Sequence, residues 1–168
     1  MTPRQRRLLD DLIRDSLTEF VESVSASGWR GREREAVSLF AFGHLVPRCG
    51  PGNLLESPTQ IGIEVAVPQH PGARAKRQVC KDLVLWPLPA MTCWDQPGRP
   101  TRRPIAILEW KTRGRMVSSS DVEWLTAFSR TSSHFVGYAL RFDRTGRAFR
   151  LSCTRIHAGA VTPDWLRL

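Results

Sequence analysis

The stretch from Pro104 to Lys111, Pro-Ile-Ala-Ile-Leu-Glu-Trp-Lys, limits the folds open to this chain more than any other. Its apolar run opens after a proline and closes on two charges two positions apart. Read as a strand, it alternates side chains between faces, so Glu109 and Lys111 project to the same side. A carboxylate and an ammonium at the end of an otherwise buried strand cost free energy unless they are paired or used. One earlier stretch has the same look: Lys81-Asp82-Leu83-Val84-Leu85-Trp86 sets an acid at the mouth of an apolar strand. The expectation is that the two strands are neighbours and that Asp82, Glu109 and Lys111 form one site.

The remaining elements follow from periodicity. Residues 4–26 carry Leu8, Leu9, Leu12, Ile13, Leu17, Phe20, Val21 and Val24 at three- and four-residue steps, which predicts one amphipathic helix ended by Gly28. A second helix is expected from about Gly31 to Val46, stopped by Pro47. On it Glu33 shares a face with Val37 and Phe40, and Glu35 lines up with Leu39 and Phe42. Both faces are apolar, so burial alone does not choose between the two acids. Ile61 to Val67 alternates as a strand, with Ile61, Ile63, Val65 and Val67 on one face and Glu64 on the other. Gln78 to Trp86 is the second strand, and a proline-rich insertion over 87–103 leads to the third, Pro104–Lys111. Ser120 with Glu123 reads as a capping box opening a helix through Arg130. Phe135–Phe142 and Arg147–Ser152 complete the strands, and Thr162-Pro163-Asp164 predicts a short terminal helix.

The order is helix–helix–strand–strand–strand–helix–strand–strand. A helix joining strands three and four implies a parallel crossover, and the first three strands can form an antiparallel meander. The fold class expected is α/β: a mixed sheet with helices on its faces, in a single domain over the 168 residues. Residues 1–30 would supply an N-terminal helix, 31–142 the core, and 143–168 a hairpin and short helix.

Charge bounds the partner. The formal net charge is +9, and the excess gathers late: residues 111–168 hold ten basic and four acidic groups. Lys111, Arg113, Arg115, Arg130, Arg141, Arg144, Arg147, Arg150 and Arg155 form that run, which makes a polyanion the natural partner, nucleic acid before membrane. No stretch approaches the ~20 apolar residues of a membrane span, and the acids at 10, 11 and 15 break any signal-like apolar region, so a cytoplasmic protein is expected. The four cysteines (Cys49, Cys80, Cys93 and Cys153) are too scattered for a disulfide framework or zinc knuckle.

Two carboxylates on adjacent strands suit a hard divalent cation such as Mg²⁺, and such an ion can activate water and neutralise charge on a phosphoryl oxygen. A lysine on the same face would orient the nucleophile. Together these groups describe metal-assisted phosphodiester hydrolysis. Only three of the 25 Lys and Arg residues are lysines, so an ammonium at position 111 is informative in a chain that otherwise uses guanidinium.

Asp82 with Glu109-Trp110-Lys111, in this element order, resembles the PD-(D/E)xK nuclease superfamily, whose restriction-endonuclease-like core runs α-β-β-β-α-β. The resemblance covers roughly residues 31–142. It implies that Asp82 and Glu109 are metal ligands with the backbone carbonyl of Trp110 as a third, that Lys111 is the catalytic lysine, and that Mg²⁺ is the cofactor, with Mn²⁺ an alternative. It also implies a catalytic glutamate on the helix before the sheet, and the Glu33-Arg34-Glu35 helix start, similar to that of junction resolvases, favours Glu33. The family's proline before the aspartate is here Lys81, which would add a cation near the phosphate. Glu64 is either a supplementary ligand or an edge acid facing solvent or an arginine. The function this implies is a Mg²⁺-dependent DNA endonuclease, with Lys81, Arg113 and Arg115 contacting nucleic acid and the first helix offering a homodimer seam. The alternatives are a catalytically silent nucleic-acid-binding or scaffold module of the same fold, or an effector that cleaves RNA or is gated by a partner.

Overall fold

The computed structural model describes residues 1–70, 72, 76–112, 117–145 and 148–168. Its first helix, α1 (Pro3–Ser27), starts where Thr2 and Gln5 cap one another and Pro3 presets the first turn. Gly28 ends it at φ +64°, a conformation that only glycine adopts without strain. Leu9, Ile13, Leu17, Phe20 and Val24 are fully buried along one stripe. The second helix, α2 (Glu33–Phe40), is shorter than its apolar pattern suggests: it widens into a π turn over Ala41–Leu45 and ends in a 3₁₀ turn at Val46–Arg48 around Pro47.

A mixed six-stranded sheet follows. Its strands are β1 (Ile61–Pro68), β2 (Gln78–Leu85), β5 (Ala106–Lys111), β6 (Val136–Thr145), β7 (Ala148–His157) and β8 (Ala160–Arg167), in spatial order β1-β2-β5-β6-β7-β8. The insertion over 87–103 holds a small separate ribbon, β3 (Trp94–Gln96) with β4 (Arg99–Pro100). Every pairing in the main sheet is antiparallel except β5 with β6, which run parallel and are joined through helix α3 (Ser119–Ser129). The chain is therefore α/β, with the meander and the parallel crossover that the element order predicts.

The sheet separates two cores. Leu83, Leu85, Ala106, Leu108, Trp110, Tyr138 and Leu140 pack with α1 and α2. Val67, Val84, Trp86, Ile107, Phe135, Ala139 and Ile156 pack with Leu125 and Phe128 of α3. α3 sits close on β6 because Gly137 has no side chain: a Cβ there would lie 3.1 Å from Leu125 Cβ.

Three local expectations change. The terminal helix expected at Thr162-Pro163-Asp164 is instead β8, because β7 offers an edge to pair with, and Pro163 is tolerated on an edge strand. The cap of α3 is Ser118, whose hydroxyl accepts from the Asp121 N–H, not Ser120. The alternation of β1 breaks at Glu64, which has φ +50°. As a result Ile61 and Ile63 pack on the α1/α2 side, whereas Val65 and Val67 pack on the α3 side. All four cysteines are free, in line with their scattered spacing, with Cys93 and Cys153 buried and Cys80 exposed. Among the described residues no helix is long and apolar enough to cross a membrane.

Candidate functional site

The site grows out of a gap in the sheet. β2 and β5 pair through Leu85↔Ala106, Val84↔Ile107 and Leu83↔Leu108, and there the ladder stops. Asp82 and Glu109, the next residues outward on each strand, flank a notch. On the edge facing β2, backbone N–H groups of β5 recur every second residue, so Trp110 and Thr112 come next with no strand to receive them. Carboxylates take over the ladder: Trp110 N donates to Asp82 Oδ2 at 2.8 Å, and Thr112 N donates to Glu33 Oε2 at 3.1 Å. Polar groups freed where two strands part need partners, and here three elements converge to supply them.

This arrangement separates the three upstream glutamates. Glu33 reaches β5 from the first turn of α2. Glu35 turns back, its Oε2 accepting from Arg32 N at 2.6 Å as a helix cap. Glu64 pairs with Arg34 at 2.5 Å. A cavity of about 370 Å³, lined by Glu33, Arg34, Val37, Ser38, Ile63, Glu64 and Asp82, opens onto the notch from the α2 side.

Lys111 is held among acids. Its Nζ donates to the Trp110 carbonyl at 2.7 Å and lies 3.6 Å from Glu33 Oε1 and 3.7 Å from Asp121 Oδ2. Burial pulls its pKa down, but Asp121, Asp82, Glu33 and Glu109 outweigh burial and leave it above the ordinary lysine value. Asp121 has no counterpart in the sequence reading. The sequence signal was its place in the first turn of α3, directly after the strand that carries Lys111.

Glu109 is the most perturbed acid of the notch. Its side chain is 6% exposed and forms an ion pair with the equally buried Lys81 ammonium. Burial raises its pKa to about 7; Lys81 works against the rise, and the Asp82 carboxyl, within hydrogen-bonding reach of Glu109, adds to it. Lys81 therefore turns inward, and its Nζ also sits 3.8 Å from the centre of the Trp124 ring. That position is away from solvent. The Trp110 indole is fully buried against Phe20 and Phe40, so only its backbone faces the notch. Arg113 and Arg115 lie outside the described residues.

The charge of the notch is unbalanced. With Glu109 ionised, Glu33, Asp82, Glu109 and Asp121 face two ammoniums, Lys81 and Lys111, leaving an excess of two negative charges. Glu109 Oε1 is buried with the Lys81 ammonium against it, and Asp121 Oδ2 is buried with only the Lys111 ammonium, 3.7 Å away, beside it. Both features suit one divalent cation, which Asp82 and Glu109 would hold with the Trp110 carbonyl. Among the described residues, however, no three His, Cys, Asp or Glu side chains converge as a metal-ligand set, so an ion here would rely on that carbonyl and on water.

Among the described residues, the basic side chains of the C-terminal third do not all face outward. Arg155 is turned inward, its Nε donating to Asp10 Oδ1 at 2.7 Å, and Arg141 pairs with Asp143 at 2.5 Å. Arg130, Arg144 and Arg150 are exposed. No protein-family model matches the sequence, and no curated protein and no solved structure matches the chain.

Proposed function

We propose that the protein is a metal-dependent nuclease of the PD-(D/E)xK type that hydrolyses phosphodiester bonds in DNA. The observation that carries this reading is the meeting of the Asp82 and Glu109 carboxylates, within hydrogen-bonding reach, at a notch that also holds Glu33, Asp121, Lys81, Lys111 and the Trp110 carbonyl. Acids brought this close repel one another, and a cation between them removes the penalty. The element order supports the same reading. From α2 through β1, β2, β5 and α3 to β6 it runs α-β-β-β-α-β, with the antiparallel meander and one parallel crossover of a restriction-endonuclease-like core.

Asp82 and Glu109 would hold a Mg²⁺ ion, which when bound supplies positive charge at the phosphoryl oxygen and acidifies water. The other steps belong to the chain. Lys111, kept protonated by its ring of acids, donates hydrogen bonds to the attacking water or to the phosphoryl oxygens as negative charge builds there. Glu33 fixes the end of β5 through the Thr112 N–H and holds the lysine on the notch side. Arg34, largely exposed at the cavity rim, and the exposed arginines of the C-terminal third attract the phosphate backbone.

A second reading is a nucleic-acid-binding module of this fold without catalysis. In its favour, Glu109 already has Lys81 and the Trp110 carbonyl already has Lys111. One assay separates the two. Plasmid DNA and RNA are incubated with the protein and Mg²⁺, Mn²⁺ or EDTA, beside Lys111→Ala. Cleavage of DNA that needs the metal and is lost in the variant is expected. Binding without cleavage under every condition would leave the second reading, and cleavage of RNA alone would replace the substrate.

A further inference from the structure

Helix α3 meets the notch through two side chains one turn apart. Asp121 and Trp124 share a face at i and i+3: the first lies beside Lys111, and the second beneath Lys81. The close seat of α3 on Gly137 fixes the height of that face over the sheet. The Lys81 ammonium is thereby held from two directions, by the Glu109 carboxylate and by the Trp124 ring. Lysine is almost never this buried unless it is paired, and an ammonium over an indole face is favoured most when water is excluded.

An ammonium and a divalent ion seek the same oxygens of a buried carboxylate and cannot share one position. Lys81 occupies Glu109 Oε1 from the side of Trp124, and the Asp82 carboxyl lies within hydrogen-bonding reach of the same Glu109 carboxyl. From this geometry we infer that Lys81, positioned by Trp124, is a built-in cation that fills one of two cation places at Glu109 and limits the notch to a single divalent ion. The inference rests on the metal-dependent reading above. Charge balance agrees with it: with Lys81 present, one divalent ion cancels the excess of two negative charges. Without Lys81 the excess is three, more than one such ion can neutralise. Trp124 is a positioning residue in this scheme, acting only through the lysine.

Calorimetric titration of Mn²⁺ into the full chain at pH 8, without nucleic acid, tests it, with folding of each variant checked by thermal melting. Wild type is expected to bind one Mn²⁺ per chain, Lys81→Met two, and Lys81→Arg, which restores the charge, one. Two ions in wild type, or a single ion in folded Lys81→Met, overturns the inference while leaving metal dependence intact. Mn²⁺ bound by no version of the chain removes the metal-dependent reading and this inference with it. If Lys81→Met does not fold, Trp124→Leu keeps both charges and removes the ring that fixes the ammonium. Its Mn²⁺ Kd is expected to differ at least threefold from wild type, and an unchanged Kd overturns the assignment.

Discussion

Two clusters of buried charge lie on this sheet, and they are built on opposite terms. Where α1 crosses the sheet, Asp10 Oδ1 accepts from Tyr138 Oη and from Arg155 Nε, both at 2.7 Å. One carboxylate faces one guanidinium, so the charges cancel. In the notch between β2 and β5, four carboxylates face two ammoniums, and one of the acids is pushed up to about 7. The first cluster is satisfied by the protein alone and ties a helix to the sheet. The second is left in excess, which a fold tolerates only at a local cost in stability, and such costs concentrate where chemistry is done.

The difference can be broken first at the lysine. Lys111→Ala is expected to lower DNA cleavage by about 10²–10⁴-fold, the range for removing a group that acts on the reacting atoms, with thermal stability close to wild type. A rate assay beside a melting curve checks both halves. Loss of the fold would place Lys111 with the structural cluster.

The acid of highest pKa separates the clusters by pH. Glu109 is raised from 4.5 to about 7 in the folded chain, so the native state holds a proton that the unfolded state gives up. Its effect on stability is therefore neutral below about pH 4.5 and grows unfavourable as pH rises towards 7, by an amount on the order of 3 kcal/mol. Urea unfolding at pH 5 and pH 8 should show this decline in wild type and a smaller one in Glu109→Gln. Mg²⁺ should recover part of it at pH 8. Equal slopes for the two proteins would mean that Glu109 is not desolvated as described.

Asp10→Ala strips Tyr138 and Arg155 of their shared acceptor. Because the pair is largely but not fully buried, with side chains 16% and 15% exposed, the expected loss is roughly 2–3 kcal/mol. Cleavage by the remaining folded protein should be unchanged. Asp82→Asn moves stability the other way: the amide oxygen still accepts from Trp110 N–H, while one of two repelling charges disappears. A gain of about 1 kcal/mol is expected, seen as a higher Tm, together with lost cleavage. A lower Tm would show that the notch carboxylate supports the fold as Asp10 does.

Much of this was legible in the residues. The strand ending at Lys111, its partner from Gln78 that carries Asp82, and the parallel crossover through α3 follow from apolar runs, prolines and a serine-rich helix start. What misled was local patterning without its neighbours. Glu33 and Glu35 both sit on apolar faces, and only the direction from which α2 approaches β5 separates them. Ile61 to Val67 alternates without a break in sequence, yet a left-handed Glu64 switches its faces midway. Thr162-Pro163-Asp164 has the form of a helix start, and the free edge of β7 drew it into a strand. Asp121 stayed hidden because a first-turn acid is explained equally well by the helix dipole.

Periodicity and turn chemistry act over a few residues, and so they carry the α/β class, the order of the main elements from α1 to β7 and the charges at strand ends, but not the β3–β4 ribbon or β8. Only the tertiary structure decided where the ladder between β2 and β5 stops, which acids enter the gap, and that Lys81 turns inward onto Glu109 and Trp124. Those outcomes depend on how far two strands diverge and how closely a helix rests on Gly137, distances set by residues far apart in the chain.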